Sequence, residues 1–333
     1  MRFFIVFILL LSSSIVQGQK TIDSFTKDMK KQAGFMTIYS DAMSNKVYLE
    51  IKNLNKEFLY LASLSDGLGS NDIGLDRGKL GPSRLVYFER QGSKILMIQK
   101  NTDYRAESNN KLEQLSVEEA FARSVLFSFD ITAESTNKLL VDISPMLLSD
   151  LFKVSETLAS RGQGSYTLDK SRSSIRFDQL KTFPENIELE AYITFSGKPK
   201  SSNIRSVTPE ANYPTVALHH SLIELPDNKY KKREFRPDCG YFYTSYYDYA
   251  TPISESLEKR FINRHRLEKK YPKKRRSEAV EPIIYYMDPG CPEPVKTALM
   301  EGALWWNEAF EAAGFENAFQ VKELPAGADP LDV

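Results

Sequence analysis

The chain predicts an α+β protein: a β-rich antiparallel sheet or barrel-like body with a helix across it, followed by a strand–helix–strand unit. Three observations carry this. Between Val47 and Phe195, short alternating or wholly apolar runs recur, bounded by turn residues. One stretch among them, from Ser144, switches to helical spacing. From Ile283 the order becomes strand, turn, helix, strand, and no repeat of fixed period runs through the chain.

Residues Met1–Gly18 come first. Arg2, the apolar run Phe3–Leu11 and the small-residue end at Val16 and Gly18 have the form of a signal peptide, with cleavage expected near Gly18–Gln19. The apolar run is well short of the roughly 20 residues needed to span a bilayer. Export to the periplasm, outer surface or extracellular space is the expectation, with no membrane span after cleavage. Lys+Arg and Asp+Glu stand at 44 each, so the whole chain offers no electrostatic case for nucleic acid.

After a helical or irregular lead (Ser24–Gln32), Val47–Lys52 alternates like a half-buried strand, and Phe58–Leu64 fits a more buried one. Leu85–Glu89 and Ile95–Ile98 flank Gln91-Gly92-Ser93 as a hairpin, and Val125–Ile131 with Leu139–Ile143 form another pair. Ser144 and Pro145 open a helix whose stripe is Leu147, Leu148, Leu151, Val154 and Leu158. On the long strand that follows, Ile187, Leu189, Ala191, Ile193 and Phe195 line one face, with Glu188, Glu190, Tyr192 and Thr194 opposite.

The glycine-rich stretch Asp66–Gly81 lacks the spacing of a phosphate-cradling loop and fits a long ordered loop between strands. His219 and His220 are adjacent in a strand and point to opposite faces, so they cannot chelate one metal as a helical pair does. They fit hydrogen-bonded sheet histidines, and they are also candidates for surface or substrate contact. His265 is the third histidine. Within the aromatic run Tyr241–Tyr249, Tyr243 and Tyr247 are candidate contacts for sugar rings or an extended peptide, against the alternative of a core strand between domains. The basic clusters Lys231–Arg233 and Lys269–Arg276 fit solvated linkers, and Tyr271–Ala279 marks a domain boundary. Cys239 and Cys291, an even count in an exported protein, permit one disulfide.

In the last stretch, Ile283–Met287 is a short strand ending at the turn Asp288-Pro289-Gly290. Pro292 can open a helix whose face carries Val295, Leu299, Gly302 and Trp306; Gly314 stops it, and Phe319–Val321 begins a returning strand. This unit cannot bury its helix alone, and its apolar stripe is worth roughly 10 kcal/mol at about 1.5–3 kcal/mol per large side chain. A small appendage resting on the preceding domain is one reading of it.

The segment DPGCPEPVKTALMEGALWWNEAFEAAGFENAFQVKELPAGADPLDV also resembles the opening of the catalytic domain in a family of secreted bacterial zinc-dependent metalloproteases of metzincin type. Proteins of that family carry long N-terminal domains of unknown function. The resemblance continues upstream through GLGSNDIGLDRGKLGPSRLVYFER, GQGSYTLDKSRSSIRF, FPENIELEA, HHSLIELPD and GYFYTSYYDYATPISESLEKRFINRHRLEKKYP. It implies a signal peptide at 1–18, an accessory domain at 19–276, and the start of a zincin-like α/β catalytic domain at 277–333. The family's zinc motif, His-Glu-x-x-His-x-x-Gly-x-x-His, has no counterpart in these residues. The resemblance therefore implies zinc for the complete protein, a protein or peptide substrate and a C-terminal catalytic region beyond Val333, but no catalytic or metal residue here. The other class of function is a secreted, non-enzymatic module that binds glycan or peptide through the tyrosine-rich strand.

Overall fold

The computed structural model describes residues 21–325, 327–329 and 331; the expected signal peptide lies outside them. The alternating segments form a 13-stranded sheet in which every pairing is antiparallel. The path runs Lys30–Gln32, Thr37–Asp41, Lys46–Ile51, Lys138–Asp142, Ser124–Ser135, Lys94–Gln99, Arg84–Gln91, Phe58–Asp66, Thr215–Glu224, Asn186–Pro199 and Gly164–Leu168. The short strands Ser174–Ile175 and Lys181–Thr182 also pair with Asn186–Pro199.

The two ends of the path nearly close on each other. Phe35 N–H donates to Phe183 O at 2.7 Å, the Gln32 side chain donates to Leu180 O at 2.8 Å, and the Thr182 hydroxyl donates to Ala33 O at 3.2 Å. Gly34 sits at this seam, where a Cβ would collide with the Phe183 carbonyl. The result is an antiparallel, barrel-like body, as the strand pattern predicts.

Period-two alternation decides its interior. Phe58, Tyr60, Ala62 and Leu64 face inward with Val216, Leu218, His220 and Leu222, and with Ile187, Leu189, Ala191, Ile193 and Phe195. The glycine-rich loop adds Leu68, Ile73 and Leu75 to the same core, which is why it is ordered. A smaller cluster on the outer side packs Ile22 of the helix Ile22–Thr26 against Tyr39, Tyr48, Ala133 and Leu140.

The single helix expected from Ser144 is two, Ser144–Leu147 and Val154–Ser160. Lys153 between them is left-handed (φ 65°), and the Asp150 carboxylate accepts from Val154 N at 2.7 Å and Ser155 N at 2.9 Å, starting a second helix. A helix over Lys111–Ala120, absent from the sequence reading, leaves only Val117 buried.

Tyr243–Asp248 is the central strand of a separate three-stranded sheet, antiparallel to Glu258–Ile262 and parallel to Tyr104–Arg105. The basic Lys232 is not simply solvated: it lies over the rings of Phe261 and Tyr246 and pairs with Glu107 at 3.1 Å. The expected boundary stretch folds onto the terminal unit, where Ser277–Glu278 pairs in parallel with Phe315–Glu316 and Ser277 N–H donates to Gly314 O at 3.2 Å.

In that unit Ile283–Met287 and Phe319–Glu323 are parallel neighbours. The helix between them is divided at Trp305 into Val295–Leu304 and Trp306–Ala312, and left-handed Gly314 follows. Cys239 and Cys291 are both free. They occupy separate turns, closed by Cys239 N→Arg236 O and Cys291 N→Asp288 O, so the disulfide that the sequence permits is not formed here. Among the described residues, no helix is long and apolar enough to cross a membrane.

Candidate functional site

Two places gather chemistry-bearing side chains. The first lies on the outer face where Asn186–Pro199 meets Thr215–Glu224. Their register sets Glu190 opposite His219 and Glu188 opposite Ser221. His219 Nε2 lies 2.6 Å from Glu188 Oε2, and Nδ1 lies 3.0 Å from Glu190 Oε2. Both ring nitrogens face carboxylates, so both carry protons and the ring is an imidazolium. Burial pushes its pKa down, but the two carboxylates outweigh this and hold it at about 9. For Glu190, burial pushes upward and is outweighed by His219 and Arg176, which leave its pKa lowered.

Further polar groups complete the cluster. Arg176 donates to Glu190 Oε1, the Ser221 hydroxyl donates to Glu188 Oε2 at 2.6 Å, and Asn186 Nδ2 donates to Glu188 Oε1 at 2.6 Å. Two buried carboxylates thus meet an imidazolium and a guanidinium, and the charges balance. The cluster also receives the chain's last described residues: Asn186 Nδ2 donates to Leu331 O at 2.6 Å, and Lys181 pairs with Asp329 at 2.7 Å.

Its neighbour His220 behaves oppositely. It points into the core, where Nδ1 meets the Tyr60 hydroxyl at 2.9 Å, and burial lowers its pKa to about 3. Its Nε2 has no well-aligned partner, only an approach to the Leu147 backbone. His219 and His220 are 4 % and 0 % exposed, which corrects their candidacy for surface contact: the sheet buries both of its faces at this point.

The residues do not suit a zinc ion. The His219 ring separates its two carboxylates instead of converging with them, and His220 lies on the other face of the sheet. Among the described residues, no group of three or more His, Cys, Asp or Glu is arranged to hold a metal.

The second place is the tyrosine strand. Tyr246 is buried beneath Arg105, whose guanidinium lies 4.0 Å from the ring centre. Tyr243 and Tyr247 are each 42 % exposed. Tyr243 packs against Phe235 at 4.5 Å, and Tyr247 stacks on Tyr104 at 5.6 Å. An added peptide strand finds no free edge on Tyr243–Asp248 or on Glu258–Ile262. Tyr243–Asp248 is central, and Glu258–Ile262 is covered by Phe235 N→Arg260 O and Ile262 N→Arg233 O.

Sequence reasoning separated Glu188 and Glu190 from the apolar face of their strand but did not join them to His219. The signal was a Glu-x-Glu pair on one face and a histidine in the next strand; the missing quantity was register.

No curated protein and no solved structure matches the chain. A family described as a domain of unknown function (DUF5118) matches residues 19–67, and a second such family (DUF5117) matches residues 78–270. The two regions build one barrel, because Phe58–Asp66 from the first is hydrogen-bonded to Thr215–Glu224 from the second. The second match spans more than half of the chain, which therefore belongs to the DUF5117 family of domains of unknown function.

Proposed function

We propose that this chain is the N-terminal portion of an exported zinc-dependent metallopeptidase. In this reading the barrel-like body is a scaffold, and the terminal strand–helix–strand unit opens a zincin-like catalytic domain. One observation carries it: the apolar surface of that unit. Neither of its helices buries a residue, and Leu299, Trp305 and Trp306 are 52 %, 74 % and 63 % exposed. A hollow of about 580 Å³ lies there, lined by Tyr285, Met287, Leu299, Trp306, Phe310 and Val321.

Apolar burial is worth roughly 25 cal/mol per Å², and a parallel strand pair ordinarily has both faces covered. The occupant this reading commits to is the continuation of the same polypeptide, carrying the rest of the catalytic domain. By the resemblance, the zinc site and the catalytic glutamate belong to that continuation and act on a protein or peptide. No residue of the present chain is assigned to either.

Reading the gene beyond the codon for Val333 tests this directly. A continuous frame encoding His-Glu-x-x-His is the expected result. A stop codon there, with a natural product of matching mass, would overturn the reading. Zinc analysis of the 333-residue chain is a second test, and tight stoichiometric zinc would sink the assignment of the metal site to the continuation.

A further inference from the structure

The basic stretch Lys269–Arg276 is folded into a hairpin between the barrel and the terminal unit. Lys269 and Ala279 bridge antiparallel, Lys270 N–H donates to Glu278 O at 2.9 Å, and Val280 N–H donates to Glu268 O at 2.8 Å. Tyr271–Arg276 form the tip and all are exposed, whereas Ser277 beyond them is buried. Within the tip, among the described residues, one backbone–backbone hydrogen bond forms, from Lys274 N–H to Tyr271 O at 3.0 Å. The chain's two cysteines are both free, so this tip lies on the one covalent route from the barrel to the terminal unit.

Exposed loop tips are where chains are nicked, and the side chains here select the agent. A serine endopeptidase with an acidic specificity pocket takes one lysine or arginine and needs the chain on both sides free to extend. Lys273 meets that demand: among the described residues neither its ammonium nor its carbonyl has a partner. Its neighbours are more engaged. Lys274 lies over the Tyr271 ring at 4.5 Å, Arg276 pairs with Glu311 at 3.4 Å, and Lys269 Nζ donates to Lys274 O and Arg275 O. The other basic stretch, Lys231–Arg233, is tied down instead. Lys231 O accepts from Arg264, Arg233 O accepts from Ile262 N–H at 3.0 Å, and the Lys232 ammonium is held by Glu107 and the Phe261 ring. Arg236 precedes Pro237, whose nitrogen carries no hydrogen.

We propose that Lys273–Arg276 is a proteolytic processing site, cut at the Lys273–Lys274 bond by an endopeptidase specific for basic residues. The cut breaks the Lys273 C–Lys274 N bond and consumes one water. The water oxygen joins the new Lys273 carboxylate, and both its protons end on the Lys274 ammonium. The site stands whether or not the terminal unit opens a catalytic domain, because it uses only the hairpin.

Brief digestion of the full 333-residue chain with trypsin, with products located by mass spectrometry, tests it. The first cut within residues 21–325 is expected at Lys273–Lys274. Replacing Lys273, Lys274, Arg275 and Arg276 together with glutamine should lengthen the half-life of the intact chain roughly tenfold or more. The paired control Lys231→Gln with Arg233→Gln should leave it unchanged. A first cut elsewhere in residues 21–325, or a fourfold variant cut as fast as the original, overturns the proposal. The first cut is read on the unaltered chain, so it decides the matter even if a variant fails to fold.

Discussion

Glu190 and His219 stand directly opposite each other on neighbouring strands, with Glu190 Oε2 3.0 Å from His219 Nδ1. Their pairing ties the strand Asn186–Pro199 to Thr215–Glu224 through charge as well as backbone. Removing the imidazolium leaves Glu188 and Glu190 buried with only Arg176 to balance them. His219→Ala is expected to cost about 3–5 kcal/mol, read as a lower urea midpoint at unchanged slope. Replacing Glu188 and Glu190 with glutamine in the same variant should recover part of the loss, because no buried charge is then stranded.

The adjacent histidines act on pH stability in opposite directions. His219 has a folded pKa of about 9, above the 6.5 of a free imidazole, so its contribution is fully present below pH 6.5 and is lost as pH rises through 9. His220 has a folded pKa of about 3; the unfolded chain takes up its proton first, so stability falls as pH drops from 6.5 toward 3. Glu190, with a lowered pKa, adds stability that is present above its ordinary value and lost in acid. Thermal unfolding across pH should trace a dome centred near 6.5. His219→Gln should flatten the alkaline limb, worth roughly 3 kcal/mol, and His220→Gln should flatten part of the acid limb.

Close backbone approach makes two glycines sensitive. A Cβ at Gly197 would collide with the Ser165 carbonyl and the Tyr166 ring, and one at Gly34 would collide with Phe183 O at the barrel seam. Gly197→Ala and Gly34→Ala are each expected to destabilise by about 1–3 kcal/mol. Gly302, around which a Cβ meets nothing within 4 Å, is the control. Gly302→Ala sits inside a helix and should be neutral or stabilising by up to about 1 kcal/mol.

Hydrogen exchange should divide the molecule. The barrel amides lie between paired strands over one continuous core, whereas the helices Val295–Leu304 and Trp306–Ala312 bury no side chain. The helix amides should exchange by local opening well below the global unfolding free energy, and those of Phe58–Asp66 and Thr215–Glu224 close to it. Equal protection in both regions would show that the terminal unit is more firmly packed than its exposed surface indicates.

The antiparallel body was legible because its strands alternate cleanly. The division of Asn186–Pro199 into an apolar and a polar face matches the observed core residue by residue. The helix Lys111–Ala120 was not legible, because it buries almost nothing and so carries no apolar stripe to find. The break at Lys153 was hidden for another reason: the apolar spacing runs on through it while Asp150 restarts the helix. The His219 cluster needed the pairing of two strands, and pairing is not written in either strand alone. The covering of the tyrosine strand on both sides likewise depends on Tyr104–Arg105, more than a hundred residues upstream.

The position of Thr215–Glu224 has a consequence for the order in which the molecule can assemble. The strands from Lys30 to Asp142 can form one continuous ribbon among themselves, and Gly164–Leu168 can pair with Asn186–Pro199. Thr215–Glu224 is made last and joins the two pieces, along Phe58–Asp66 on one side and Asn186–Pro199 on the other. Until it arrives, the Phe58–Asp66 edge is open and Glu188 and Glu190 have no imidazolium. Joining segments 160 residues apart in sequence, as Tyr60 and His220 are, is the kind of non-local step that slows folding. On the ribosome, therefore, the body can be half built early but can become a barrel only after Glu224 has emerged.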